Sequence, residues 1–207
     1  MMKLGFIRHG VTGWNELGKM QGQTDIPLNQ EGKEQAKALA TRLASESWDA
    51  IFSSDLLRAK ETASIIAQTL DIVHVEDPRL RERKSGRIEG TTEEERIRQW
   101  GKEWRKIDHG IETNKAVQDR VKEFMNEVAS CFEIQNILIV SHGITVGLTL
   151  KYLMPYHFVD THLDNASLTC IQWINSEWAC PVYNCTIHLK KRDTHDGLIG
   201  DMEGVAL

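Results

Sequence analysis

Apolar positions along the chain alternate between short unbroken runs and helical spacing. Leu4 to Ile7 is an unbroken run, which predicts a buried strand, and it ends directly on Arg8-His9-Gly10. A loop containing Gly13, Gly18, Gly22 and Pro27 then runs from Gly10 to Leu28. Loops of that length inside a compact domain are usually functional. Asn29 predicts an N-cap, and Ala36, Leu39, Ala40 and Leu43 fall at i, i+3, i+4 and i+7, one face of an amphipathic helix. Ala50-Ile51-Phe52 predicts a second buried strand. It ends in Ser53-Ser54-Asp55, cap residues for a helix burying Ala59, Ala63, Ile66 and Leu70. Ile72 to Val75 predicts a further short strand.

From Asp77 to Gly90 the chain is charged and interrupted by glycine. Thr92 with Glu95 fits a capping box, predicting a helix with Ile97, Trp100, Trp104 and Ile107 on one face. A second helix presents Val117, Val121, Phe124, Met125 and Val128 inward. Asn136 to Val140 predicts a strand, Ser141-His142-Gly143 turns out of it, and an apolar helix runs to Met154. Leu168 to Trp173 and Trp178 to His188 predict a closing pair of strands turning at Asn175-Ser176. Residues 190–207 are polar without periodicity, which predicts a frayed tail. Strands alternating with helices predict an α/β fold, a mostly parallel sheet covered on both faces. With no repeat and no linker, residues 1–207 are expected to form a single domain.

Composition narrows the functional classes. The 207 residues are 41% hydrophobic and 27% charged, with a net charge of −5. No basic excess is available to neutralise a polyanion, so nucleic-acid binding is disfavoured. A small anionic ligand needs only a local cluster of cations. The start lacks a signal-peptide pattern, and the most apolar long segment, Ile137 to Met154, carries Ser141, His142 and Lys151, so a membrane span is not expected. Cys131, Cys170, Cys180 and Cys185 form neither CxxC pairs nor a dense framework. Free thiols in a reducing cytoplasm are expected, a Cys180–Cys185 pairing being the disfavoured alternative. The pattern fixes no oligomeric state.

The chemistry sits at three strand ends. The first delivers Arg8 and His9, the second leads to Arg58 in the first turn of a helix, and the third delivers His142 beside Gly143. If these strands are parallel neighbours, the four side chains meet in the crevice at the carboxyl edge of the sheet, where open α/β sheets bind ligands. A cation at a helix start is unfavourable unless an anion is nearby. Asp55 as a cap is the plainer explanation of Arg58; two arginines, a helix start and two histidines together are better explained by a phosphate, which guanidinium groups bind bidentately. Main-chain N–H groups near Gly143 would add to the cradle. A neutral imidazole is a competent nucleophile, forming a phosphoryl-enzyme intermediate, while a protonated His142 would stabilise the transferring group. Metal binding is the weaker use of these histidines: no HExxH or Cys/His ligand spacing occurs, and two arginines repel a divalent cation. A proton donor for the leaving alkoxide is also needed. Glu82 or Glu89 in the charged loop qualifies, and periodicity does not choose between them.

These blocks resemble the histidine phosphatase superfamily, the phosphoglycerate mutase-like family. The resemblance rests on RHG at 8–10, TGWN at 12–15, QGQTDIPLNQEG at 21–32, SSDLLRAKETA at 53–63, LRERKSGRIEG at 80–90 and SHG at 141–143, with NASLTCIQW at 165–173 similar to the family's late strand. It implies a three-layer α/β/α sandwich on a mixed, mostly parallel sheet. It further implies His9 as the phosphorylated nucleophile, Arg8, Arg58 and His142 holding the phosphoryl group, Glu82 as proton donor, and Asn15 and Gln21 on the phosphate. No metal or other cofactor is implied, and the implied ligand is a small phosphorylated metabolite.

The sequence departs from the family pattern after the acid, where Arg83-Lys84-Ser85 adds two cations and Ile88 replaces a tryptophan. The added charge suits either a more anionic substrate or a solvated surface. Mutases of the family usually carry a longer insertion between the acid and the second histidine, an HYG-type sequence and an Arg-Arg pair, none of which appears. A metal-independent phosphatase is therefore favoured over a mutase primed by 2,3-bisphosphoglycerate, and over a non-catalytic phospho-ligand binder, which needs neither nucleophile nor acid. The stretch 91–117 is expected to cap the site. Its Trp100 and Trp104 more readily pack onto the sheet than face the pocket, where Trp14 would join them.

Overall fold

Six strands, the central ones apolar, pair into one sheet, and the amphipathic segments between them cover both of its faces. The computed structural model describes residues 2–130, 136–158 and 161–189. The strands are β1 (Lys3–Arg8), β2 (Ala50–Ser53), β3 (Val73–Glu76), β4 (Asn136–Ser141), β5 (Leu168–Ile174) and β6 (Glu177–Cys185), and they lie in the order β3-β2-β4-β1-β5-β6. β3, β2, β4 and β1 run parallel, while β5 and β6 are antiparallel additions. Helices are α1 (Gly13–Glu16), α2 (Gln30–Leu43), α3 (Leu57–Leu70), α4 (Glu93–Trp100), α5 (Asn114–Ser130) and α6 (Gly143–Leu153).

The period-2 alternation of the central strands divides the core. Leu4, Phe6, Ile137 and Ile139 pack with Val117, Val121 and Phe124 of α5 and Val146 and Leu150 of α6. Ile7, Ile51, Leu138 and Val140 pack on the other face with Leu39 and Leu43 of α2 and Ala63 and Ile66 of α3. This is the expected three-layer α/β/α arrangement. Register sets the site: Arg8 lies opposite Ser141, and Val140 opposite Ser53, so the carboxyl ends of β1, β4 and β2 are level.

Several expectations need correction. Asp55 does not cap α3. Its N-cap is Leu56 without a side-chain bond, and the Leu57 N–H donates to Asp25 Oδ1 at 2.7 Å. Asp55 is instead engaged with Arg81, whose Nε donates to Oδ1 at 2.7 Å. The helix of Ile97, Trp100, Trp104 and Ile107 stops early, because Gly101 takes φ 80° and ends α4; Trp104 opens a separate 3₁₀ turn, Trp104–Lys106. Ile97 and Ile107 are exposed as a result. The last strand ends at Cys185 rather than His188: Asn184 has φ 43°, and a 3₁₀ turn, Ile187–Leu189, follows. The long loop carries α1, capped by a Thr12–Asn15 capping box. Cys180 is a free thiol, so the Cys180–Cys185 pairing is not formed. The tail 190–207 and Cys131 lie outside the described residues. No described helix is long and apolar enough to cross a membrane.

The glycine of Arg8-His9-Gly10 has a packing reason. A Cβ on Gly10 would lie 2.6 Å from the Gly32 carbonyl oxygen, and one on Gly32 would lie 2.1 Å from the Val11 carbonyl oxygen. The backbone leaving β1 thus runs against the first turn of α2 with no room for a methyl group on either side. Gly32→Ala should therefore destabilise the fold by about 1–3 kcal/mol. Thermal denaturation would read this as a drop of roughly 2–4 °C per kcal/mol; an unchanged Tm would contradict the close approach.

Candidate active site

The carboxyl ends of β1, β2 and β4 open into a cleft of about 490 Å³, within the range of small-molecule sites. Arg8, His9, Asn15, Gln21, Arg58, Glu82 and Gly143 all line it. Of the residues that the resemblance places on the phosphoryl group or as its acid, His142 alone does not line the wall. It is fully buried behind His9, with ring centroids 5.2 Å apart.

His9 ends β1 buried and oriented. Its Nδ1 lies 2.7 Å from the Gly10 carbonyl oxygen. A carbonyl only accepts, so Nδ1 carries the proton and Nε2 keeps its lone pair. The surrounding backbone is fixed by two residues that periodicity did not flag. Thr62 of α3 accepts from the Gly10 N–H at 3.1 Å and donates to the Arg58 carbonyl at 2.7 Å. Asn165 Nδ2 donates to the His9 carbonyl at 3.0 Å and lies 3.4 Å from Asn15 Oδ1. No local pattern marks either residue, because their partners lie far away in sequence.

Arg58 is fully buried at the start of α3, with its terminal nitrogens donating to the Thr24 carbonyl at 2.9 Å and the Gly22 carbonyl at 2.7 Å. The same bonds anchor the 21–24 stretch of the long loop. Arg8 donates to the Leu163 carbonyl. The Nε atoms of Arg8 and Arg58 and both ring nitrogens of His142 are buried without a protein partner. Buried polar atoms are normally paired; these atoms, and Arg83 Nε on the same cleft, have no partner in the protein and are open to a ligand. Asn15 Oδ1 accepts from the Thr12 N–H, and Gln21 Oε1 lies 3.0 Å from Thr12 Oγ1. Both amides thus have their oxygens engaged.

Glu82 and Glu89, equivalent in the sequence, are separated by the fold. Glu89 buckles the loop, accepting from Thr24 Oγ1 at 2.7 Å, the Ser85 N–H at 2.8 Å and the Gln23 N–H at 3.2 Å. Glu82 lines the cleft at the start of α6, accepting from the N–H groups of Ile144 and Thr145 at 3.2 Å each and from Thr145 Oγ1 at 3.1 Å. The Ile144 and Thr145 N–H groups thus serve Glu82 rather than a ligand.

Electrostatics follow from burial among cations. Burial, then the charges of Arg58 and Arg8, hold the His9 imidazole well below its ordinary pKa. Burial and then Arg58 do the same to His142. Without an opposing charge the His142 ring is therefore neutral; a phosphate beside it supplies the charge that the expected protonation requires. Burial pushes Arg58 down to about 10, which still leaves it cationic at neutral pH.

The region 91–117 contributes Arg96 and Asn114 to the cleft wall, but not its tryptophans. Trp100 and Trp104 pack on His109 rather than on the sheet, with ring centroids at 4.8 Å and 5.9 Å. Trp104 also lies between Arg96 and Arg105. Trp14 packs beside Gly90, so no indole lines the cleft.

Comparison with known proteins identifies the family. Residues 4–186 match the family model described as histidine phosphatase superfamily (branch 1). An uncharacterized phosphatase, PhoE, of Bacillus subtilis (strain 168) is 35% identical over 88% of this chain and 94% of its own length. A probable phosphoglycerate mutase, GpmB, of Yersinia enterocolitica is 33% identical, covering 91% of this chain and 95% of that protein. Among solved structures, a mycobacterial glucosyl-3-phosphoglycerate phosphatase complexed with VO3 superposes with a TM-score of 0.80 at 28% identity, covering 89% of this chain and 99% of that one.

Proposed function

The chain belongs to the histidine phosphatase superfamily, and from that premise we propose that it is a metal-independent phosphomonoesterase acting on small phosphorylated metabolites through a phosphohistidine on His9. The observation that carries this reading is the set of unpaired buried nitrogens of Arg8, Arg58 and His142 gathered round a His9 whose Nε2 lone pair is free. An ester of a phosphate dianion brings oxygens for these donors and a phosphorus atom for Nε2.

The reaction proceeds in two displacements. His9 Nε2 bonds to phosphorus as the ester P–O bond breaks, and Glu82 delivers a proton to the departing oxygen, which leaves as an alcohol. The Nδ1–H bond to the Gly10 carbonyl steadies the positive charge that grows on the ring. Arg8, Arg58 and His142 hold the oxygens of the phosphoryl group in flight, the largest electrostatic contribution in such transfers. Asn15 and Gln21 present amide donors to the same group. In the second displacement Glu82 takes a proton from water, the water oxygen bonds to phosphorus, the N–P bond breaks, and His9 is restored. The region 91–117 acts as a cap that narrows the opening.

Phosphate release from p-nitrophenyl phosphate in the presence of EDTA tests the reading. Turnover by the wild type supports it. Turnover abolished by EDTA and restored by a divalent cation would overturn the metal-independent mechanism. The relatives named as probable phosphoglycerate mutases support a second reading, transfer between phosphoglycerates. Strict dependence on 2,3-bisphosphoglycerate, with no release to water, would favour it.

The lowered His9 and His142 pKa values give a pH prediction. A group whose pKa is depressed stays neutral as pH falls past its ordinary value, so the nucleophile remains available below about 6.5. The acid limb of kcat/KM, which reports the free enzyme, should lie below that value after correction for substrate ionisation. A midpoint at or above it would contradict the burial argument.

A further inference from the structure

Glu82 lies on irregular backbone between two 3₁₀ turns, Pro78–Leu80 and Gly86–Ile88. Its carboxylate meets the start of α6 through two N–H bonds of 3.2 Å, longer than the usual length of about 2.9 Å. A third main-chain bond, from the Arg83 N–H at 2.8 Å, moves with the same backbone. The place of the carboxylate in the cleft therefore depends on how that backbone is held. Side chains hold it. Each carbonyl from Arg79 to Glu82 accepts from one: Arg79 from Arg120, and Leu80 from Ser141 Oγ at 2.7 Å. Arg81 accepts from Thr145 Oγ1 at 2.9 Å, a hydroxyl it shares with the carboxylate. Glu82 accepts from Gln23 Nε2 at 3.0 Å and from Arg120 Nη2 at 3.3 Å. Of these donors, only Arg120 takes both the first carbonyl and the last.

Arg120 is itself fixed. It follows Val117 by three residues and precedes Phe124 by four, which puts it on the face that α5 turns to the core. Its Nε and Nη2 donate to the two oxygens of Glu112 at 3.0 and 3.1 Å, a bidentate pair in which each side chain is only 18% exposed. Glu112 pairs in turn with the acid-bearing loop in both directions. Its N–H donates to the Lys84 carbonyl at 2.9 Å, and its Oε2 accepts the Lys84 N–H at 3.1 Å. Burial raises the pKa of the Glu112 carboxyl, but the bonds from Arg120 and Lys84 outweigh it and hold the group below its ordinary value. One rigid guanidinium plane thus joins a core-anchored helix to both ends of the stretch that carries the acid. Arg120 does not line the cleft, so whatever it does for the reaction it does through another residue.

We propose that Arg120, braced by Glu112, is a positioning residue for the proton donor, clamping the 79–82 backbone so that the Glu82 carboxyl stays within hydrogen-bond reach of the departing oxygen. This rests on the phosphomonoesterase reading, in which Glu82 is the acid. Proton delivery needs that reach, and a displacement of about 1 Å costs on the order of 10²-fold. The clamp serves the acid step alone, because Arg8 and Arg58 are held by the Leu163, Thr24 and Gly22 carbonyls, none of which belongs to it. After burial, Arg58 and His9, the Arg120 charge also helps to keep His142 neutral. An effect by that route would fall alike on every phosphate ester.

Leaving-group dependence tests it. Arg120→Met should lower kcat/KM for glycerol 3-phosphate by about ten- to a hundredfold, and far less for p-nitrophenyl phosphate, whose phenolate departs without a proton. Calorimetric affinity for inorganic phosphate should be unchanged. Arg120→Lys, which keeps the charge and reaches one carbonyl, should recover part of the loss. In a Glu82→Gln background, Arg120→Met should cost glycerol 3-phosphate turnover almost nothing further, because the group it positions is gone. Equal losses with both substrates, or a loss that persists in full in that background, overturn the proposal and show a structural role or a route through His142. Unchanged kcat/KM for glycerol 3-phosphate in Arg120→Met also overturns it. Should Arg120→Met not fold, Glu112→Gln carries the same comparisons, since it keeps an acceptor for the Lys84 N–H and removes the charge opposite Arg120. Failure of the underlying reading is distinct, and the proposal falls with it: the wild type then releases no phosphate from p-nitrophenyl phosphate, or Glu82→Gln alone loses turnover equally with both substrates.

Discussion

His9→Ala should lose phosphate release by about 10⁴-fold or more, the scale on which removal of an attacking group is felt. The loss belongs to kcat, because Arg8 and Arg58 still hold the ligand. Their guanidinium groups are fixed by bonds to the Leu163, Thr24 and Gly22 carbonyls, none of which involves the imidazole. The variant should therefore still bind inorganic phosphate, and calorimetry of the folded protein checks that the loss is chemical. A variant that binds phosphate and retains turnover within about tenfold of the wild type would mean that the nucleophile lies elsewhere.

Glu82→Gln should show a loss that depends on the leaving group. With an alkyl phosphate, whose alkoxide departs poorly without a proton, kcat/KM should fall by about 10²–10⁴-fold. With p-nitrophenyl phosphate, whose phenolate departs readily, the loss should be far smaller. The glutamine keeps one oxygen as an acceptor for the start of α6, but its NH₂ then meets a backbone N–H of Ile144 or Thr145. A modest fall in Tm is expected with it. Equal losses with both substrates would show Glu82 to be a structural buckle and would return the acid role to another group.

The parts of this site that were legible in the sequence share one cause. Strands β1, β2 and β4 are short apolar runs that stop abruptly on polar residues, and a buried strand that stops on Arg-His-Gly or Ser-His-Gly must place those side chains at a sheet edge. Arg58 was readable because a cation at a helix start is anomalous. Its explanation lies in its carbonyl partners, 34 and 36 residues away.

What escaped was set by contacts between distant segments. Thr62 and Asn165 act on backbone groups 52 and 156 residues away, and neither differs locally from any other helix threonine or loop asparagine. Glu82 and Glu89 differ only in what the fold brings to them, the start of α6 in one case and the 23–24 turn in the other. The apolar spacing of Ile97, Trp100, Trp104 and Ile107 was real but crossed Gly101, which ends the helix. That glycine was the signal available. Asp55, a natural cap by residue type, was drawn away by Arg81, and Asp25 supplies the acceptor at the start of α3 instead.

The proposed mechanism turns on a covalent phosphoryl group on His9. Wild-type protein mixed with p-nitrophenyl phosphate in EDTA, quenched in base within the first turnover and digested for mass spectrometry, measures it directly. A phosphoryl group should appear on the peptide containing His9, stable to base and lost in acid, forming with the initial burst of p-nitrophenol. Steady turnover with that peptide unmodified at every quench time would contradict it and point to direct attack by water.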